Sequence, residues 1–379
     1  MITDLKNELS NAKQLTENGA VGYRTTGKEL LDLNFMTSSL RNKSEDEIFD
    51  SFLRAFYEDK MLAIKWLFFM RDAREGMGER RSFRIILNGL GHRHPTIAKE
   101  LISLVPEYGR YDDLFSLMDN DEMTKIVVNF IHQQFKEDYM NYKNKKPISL
   151  LAKWLPKEST KKYKKVYKIL LKEFNMKPKD YRQTVSELRR YLDVVEVKMS
   201  ANEWNKVNYN SVPSKANLLY KDAFLKHDEE RRNEYLENLK NGNENTKINA
   251  KILMPHEIVH NYTSLLYDGW HLRIKSYDET LEQLWKSLPD YVDGEGFSMF
   301  VRDGSGSMTD RIGNTNTTCL DVSTALAIYF SEHCKGEYKD NFITFSNRPK
   351  VIDLSNCSSL REKIEKMLHR IWLDKYWYL

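Results

Sequence analysis

Ser298-Met-Phe-Val-Arg-Asp-Gly-Ser-Gly-Ser-Met308 decides how the rest of the chain is read. The apolar run from Phe297 to Val301 reads as a buried strand, which delivers Asp303, Ser305 and Ser307 at its carboxyl end. One carboxylate and two hydroxyls at alternate positions, with Gly304 and Gly306 letting the backbone curl, can converge on one small hard cation. Mg²⁺ prefers such oxygen ligands and keeps several waters, so Mg²⁺ or another divalent cation is the expected cofactor. An ordinary Gly/Ser turn could carry the same string. Context favours the metal: Leu320 to Phe330 has helical apolar spacing, and strand, loop and helix form the usual ligand corner of an open α/β sheet.

Beyond that corner, Asn341 to Ser346 and Val351 to Leu354 read as strands, and Ser358 to Leu368 as a helix. Upstream the pattern is helical. Ile48, Phe49, Phe52, Leu53 and Phe56 make one apolar stripe, and further helices are expected over about Lys60–Asp72, Arg80–Leu90, Tyr111–Met118 and Asp121–Tyr142. Lys221 to Lys240 reads as one long charged helix, closed by Asn241-Gly242. The Gly76-x-Gly78 pair has no strand before it, so it reads as a tight interhelical turn and not a phosphate loop. Helix after helix with short connections suggests stacked hairpins of the HEAT type. The expected class is mainly α, with HEAT-like hairpins in a ring or solenoid over 1–290 and a partial α/β module over 291–379.

Charge is unevenly spread along the chain. The formal net charge is +4, yet Asn141 to Arg190 holds 16 Lys/Arg against four acids, leaving the remainder at −8. Thr160 to Phe174 reads as a helix that buries Tyr163, Val166, Tyr167, Leu170, Leu171 and Phe174. Lys161, Lys165, Lys168 and Lys172 then follow one solvent face at i, i+4, i+7 and i+11. Ammonium groups about 5.4 Å apart, one helical turn, can follow a phosphate backbone. A solvated lysine face is the plain alternative, and the scarcity of neutralising acids argues against it. Arg189 and Arg190 extend the basic region. A polyanion contact is therefore the expected use of this region.

His256-Glu-Ile-Val-His260 matches the H-E-x-x-H pattern, in which two histidines one turn apart bind Zn²⁺ and the Glu acts as a base. A zinc hydrolase on His256, Glu257 and His260 is carried only as an alternative, since Asp268, His271 and Asp278 are loose candidates for a third ligand. No stretch of 18 apolar residues occurs, and the densest, Met61 to Met70, is broken by Lys65. No membrane association is expected. Cys319, Cys334 and Cys357 lack metal spacing and suit a reducing cytoplasm; no secretion signal opens the chain.

Asp-x-Ser-x-Ser after an apolar strand resembles the metal-ion-dependent adhesion site of a von Willebrand factor A domain. The preceding body resembles the TROVE (Ro autoantigen) family and its bacterial and phage relatives. Four segments carry this likeness: Phe69-Met-Arg-Asp-Ala-Arg-Glu-Gly-Met-Gly-Glu-Arg-Arg81, Tyr108-Gly-Arg-Tyr-Asp-Asp-Leu114, Ser149-Leu-Leu-Ala-Lys-Trp-Leu-Pro156 and Ser211-Val-Pro-Ser-Lys-Ala-Asn-Leu-Leu-Tyr220. The resemblance implies a ring that binds noncoding or misfolded RNA without catalysis, with Lys153, Trp154 and Lys215 among the contacts. It also implies a metal-dependent surface at Asp303, Ser305 and Ser307 that takes a protein partner. The sequence departs from the A-domain pattern in lacking the threonine and second aspartate of later loops, and Ile371 to Leu379 reads as a truncated or frame-shifted end.

Overall fold

The apolar stripe of Ile48, Phe49, Phe52, Leu53 and Phe56 sets the pattern of the fold. The computed structural model describes residues 13–15, 21–23, 25–72, 74–265, 272–292, 299–312, 315–346 and 348–375, and the protein is mainly helical. It divides into two compact units, Met1–Val194 and Val195–Leu379.

In the first unit the short strands β1 (Lys13–Leu15) and β2 (Val21–Tyr23) pair antiparallel. Ten helices follow among the described residues: α1 (Glu29–Met36), α2 (Glu45–Glu58), α3 (Lys60–Arg71), α4 (Arg81–Arg93), α5 (Pro95–Leu101), α6 (Val105–Tyr108), α7 (Asp121–Lys143), α8 (Leu151–Trp154), α9 (Lys164–Glu173) and α10 (Pro178–Tyr191). Ser44 and Glu47 cap α2 reciprocally, the Ser44 hydroxyl taking the Glu47 amide and the Glu47 carboxylate taking the Ser44 amide. Its five stripe residues are all buried in a core shared with α3, α4 and α7. Gly89 on α4 is where the Phe49 ring lies flat: a Cβ there would sit 2.4 Å from ring carbons.

The Gly76-x-Gly78 turn closes on itself. Its amides from Met77, Gly78 and Glu79 bond to the carbonyls of Phe69, Asp72 and Met70 at 3.1, 2.9 and 2.8 Å, and Gly78 has a φ of +66°. Tyr111–Leu117 is a 3-10 segment rather than an α-helix.

The second unit holds α11 (Val195–Ser200), α12 (Ser214–Leu219), α13 (Lys221–His227), α14 (Glu229–Lys240), α15 (Pro255–Tyr262), α16 (Glu279–Lys286), α17 (Cys319–His333) and α18 (Leu360–Lys375). The expected long helix over Lys221–Lys240 breaks at Asp228, whose carboxylate accepts from Tyr209 Oη at 2.7 Å and Arg231 Nη1 at 2.8 Å. Between α15 and α16 a small antiparallel hairpin forms from β3 (Thr263–Leu265) and β4 (Leu272–Ile274).

The remaining sheet has the order β5 (Phe300–Asp303), β6 (Asn341–Phe345), β7 (Val351–Asp353). β5 and β6 run parallel with α17 as the crossover, and β7 returns antiparallel. The strand begins at Phe300; Phe297 and Ser298 lie outside the described residues, as do residues 376–379 of the aromatic end. Position 290/291, expected as a domain boundary, falls inside the second unit. The reason is packing: Glu282 on α16 accepts the amides of Leu360 and Arg361 at 2.8 and 3.1 Å, and one core runs from α14 through α17 to α18.

Candidate functional site

The basic face is built on α9. Val166, Tyr167 and Leu170 turn into the core, which leaves Lys165, Lys168 and Lys172 exposed on the other side. Among the described residues none of these three forms an ion pair. The helix starts at Lys164, later than expected, so Lys161 is exposed on a preceding 3-10 turn and stands off the helical row. Arg190 is exposed at the end of α10. Arg189 is not on that face: its Nε and Nη2 donate to the carbonyls of Ala152 and Leu155 at 2.8 and 2.7 Å, closing the end of α8. Burial pushes the Arg189 guanidinium below its ordinary range. Lys215 belongs to the second unit, where it is paired with Glu257.

Beside α8 lies a cluster that helical periodicity did not reveal. Asp113, fully buried, accepts from Arg71 Nε at 2.8 Å, Arg84 Nε at 2.6 Å and the Arg110 amide at 3.0 Å. Asp112 holds Arg84 Nη2 at 2.8 Å and both Arg110 Nε and Nη2 at 2.8 Å. Arg84 Nη1 also donates to Tyr163 Oη at 3.2 Å. The Arg110 guanidinium lies 3.9 Å from the centre of the half-buried Trp154 ring, and Lys153 Nζ lies 5.7 Å from it. Gly109 is required here, since a Cβ would come 2.6 Å from Asp113 Oδ2 and 3.0 Å from Arg71 Nε. Arg80 completes the group. Its carbonyl accepts the Arg84 amide at 3.1 Å, while its side chain has no hydrogen bond or ion pair among the described residues. Although its residue surface is exposed to solvent, desolvation of the guanidinium by its surroundings lowers its pKa, and the charges of Arg110, Arg84 and Arg71 lower it further. The sequence signal was present in Glu79-Arg-Arg81 and Arg110-Tyr-Asp-Asp113, but only as local charge.

The Asp303–Ser307 loop brings its three oxygen-bearing residues together. Asp303 Oδ1 accepts the Ser305 amide at 2.8 Å, and the Ser305 and Ser307 hydroxyls lie 3.1 Å apart and exposed. Ser323 of α17 donates to the Asp303 carbonyl at 3.0 Å, which ties the loop to the helix. The donor set is all oxygen with one carboxylate, which suits a hard cation that retains waters. Behind the loop Arg302 is buried, donating from Nη2 to Thr324 Oγ1 at 2.8 Å while its Nε has no partner; burial pushes its pKa down to about 10.

The H-E-x-x-H pattern sits on α15, where two of its three members, Glu257 and His260, are otherwise engaged. Glu257 accepts the Met254 amide at 2.9 Å and pairs with Lys215. His260 Nδ1 lies 2.8 Å from Asp321 Oδ2. His256 is half-buried, and burial lowers its pKa. Among the described residues no three His, Cys, Asp or Glu gather as a metal cluster, and none of their helices is long and apolar enough to cross a membrane. Asp268 and His271 lie outside the described residues.

Two family models match this chain. Residues 171–296 match "Domain of unknown function (DUF2828)", and residues 298–375 match "Domain of unknown function (DUF7788)". Neither description names the TROVE or A-domain families. The chain is similar to "Uncharacterized protein L728" of Acanthamoeba polyphaga mimivirus, at 27% identity over 394 residues covering 94% of this chain. It spans 66% of that relative's length. No solved structure matches.

Proposed function

We propose that this chain is a non-catalytic RNA-binding protein of the cytoplasm, taking single-stranded parts of noncoding or misfolded RNA into a ribonucleoprotein. The observation that carries this reading is the exposed lysine face of α9, Lys165, Lys168 and Lys172, without ion pairs among the described residues, in a segment of net charge +12. Ammonium groups so placed neutralise phosphates and release counterions, and no base-specific readout is needed. In this reading the helices of the first unit stack as HEAT-like hairpins.

Filter binding to a single-stranded RNA across roughly 50–200 mM salt tests the proposal, since phosphate contacts give a slope of about 0.7 per neutralised phosphate. Lys165/Lys168/Lys172→Glu should weaken binding and flatten the slope. Absence of binding at the low-salt end would refute it.

A second reading rests on the convergence of Asp303, Ser305 and Ser307 and on the parallel β5–β6 pair with antiparallel β7. Under it, the second unit carries an A-domain-like half-sheet whose Mg²⁺ takes a partner's carboxylate.

A further inference from the structure

Arg71, Arg84 and Arg110 share two carboxylates, Asp112 and Asp113, and a fourth guanidinium group, Arg80, stands one helical turn before Arg84 at the start of α4, where its carbonyl accepts the Arg84 amide at 3.1 Å. The two carboxylates hold three of the arginines, and the excess is two positive charges. Glu79, the acid next to Arg80 in the chain, is committed elsewhere: it pairs with Arg41 at 2.8 Å and accepts the amides of Arg81 and Ser82 at the start of α4. Arg80 is left exposed, without a counterion among the described residues. Helices do not normally gather like charges in a half-buried place unless something compensates them.

We infer that Arg80 and Arg110, beside Trp154 and Tyr163, form a binding site for a phosphate monoester. Its charge of about −1.5 to −2 at pH 7 matches the excess of two, whereas an internal phosphodiester carries one. Its three oxygens suit forked guanidinium donors. Asp112 fixes the Arg110 fork with two hydrogen bonds, so that group is positioned before any anion arrives. The backbone amides of the Gly76–Gly78 turn take no part, being bonded to carbonyls already. The source is either free phosphate or the terminal phosphate of an RNA strand. The second source rests on the RNA-binding reading; the site itself does not.

The test has two arms on the full chain. In the first, melting temperature is followed as sodium phosphate replaces sodium chloride at matched ionic strength, because a ligand that binds the folded state raises it. Wild type should melt higher in phosphate, Arg80→Gln should lose that increment, and Arg80→Lys should keep part of it. The Arg80 side chain has no partner to lose, so Arg80→Gln should fold as well as wild type in chloride. Equal melting in both salts, or an increment that survives Arg80→Gln, overturns the site. In the second arm, a 5′-phosphorylated RNA oligonucleotide is compared with its 5′-hydroxyl form. A preference of about tenfold for the phosphorylated strand, lost in Arg80→Gln, identifies the strand end as the source. Phosphate stabilisation without that preference upholds the site with free phosphate as the source. RNA binding with no phosphate effect overturns the site and leaves the lysine face standing.

Discussion

His260 Nδ1 on α15 lies 2.8 Å from Asp321 Oδ2 on α17. Asp321 also accepts from Thr263 Oγ1 at 2.6 Å and from the Thr318 amide at 2.9 Å, so one carboxylate joins a helix, a hairpin and a cap. Burial alone would raise its pKa; the hydrogen bonds from His260, Thr263 and Thr318 outweigh it and hold the carboxyl below its ordinary 3.8. A depressed folded pKa means a contribution complete above about pH 3.8 and lost as pH falls through the folded value. Asp321→Asn should therefore lower the denaturation midpoint clearly at pH 7 and much less near pH 3. An equal loss at both pH values would show that the charge is irrelevant and only shape matters.

Much of this arrangement was legible in advance and part was not. The stripe of α2, the extents of α3 and α7, and the β5–α17–β6–β7 succession follow from apolar spacing, which reports which face of an element is buried. Spacing does not report what an element is buried against. Arg71, Arg84 and Asp113 are 13 to 42 positions apart, and nothing local says that they meet. The same blindness hid the role of Arg189, whose guanidinium faces carbonyls 34 and 37 residues earlier. The break at Asp228 is likewise accompanied by a tertiary contact, the hydrogen bond from Tyr209. That Asp303, Ser305 and Ser307 lie close together follows from their spacing, because residues two apart need only a local curl of the chain.

Asp113→Asn tests whether the buried arginine cluster supports the first unit. The substitution leaves Arg71 and Arg84 in place with their shared anion gone. Breaking a buried pair in this way typically removes about 3–5 kcal/mol. Urea denaturation should show a loss of that order, whereas Asp119→Asn, at a more exposed carboxylate, should change little. A small loss at Asp113 would mean that the arginines find other anions.

Gly109→Ala acts on the same cluster through volume. The added methyl group would contact Asp113 Oδ2 at 2.6 Å and the Val105 carbonyl at 3.0 Å, and neither can retreat without loosening Arg71. Overpacking of this kind costs about 1–3 kcal/mol. Gly242→Ala is a useful contrast, since that position has open space and only its φ of +70° to strain it. A melting scan should rank Gly109→Ala as the more damaging of the two; the reverse order would mean that backbone strain outweighs crowding.

For the Asp303–Ser307 loop the readout is ligand-dependent stability. If Asp303, Ser305 and Ser307 hold a hard cation, millimolar Mg²⁺ should raise the melting temperature of wild type above a matched chloride control. Asp303→Ala should abolish the increment, and Ser305→Ala should reduce it. Asp303 also accepts the Ser305 amide, so the variant's melting point without Mg²⁺ must be measured first. An increment that survives Asp303→Ala places the ion elsewhere.

Arg302→Met probes the charge buried behind that loop. Arg302 lies nine-tenths or more out of water with one hydrogen bond to Thr324, an unpartnered Nε and a pKa pushed down to about 10 by burial. Its desolvation is thus poorly compensated, and methionine supplies a long apolar stem of similar reach without the charge. Replacing buried charges by well-packed apolar side chains is often neutral or stabilising by about 1–4 kcal/mol. Denaturation of Arg302→Met should accordingly give stability equal to wild type or greater. A clear loss would show that the guanidinium is held by an anion at this loop, and repeating the measurement with and without Mg²⁺ would separate that anion from a role in metal binding.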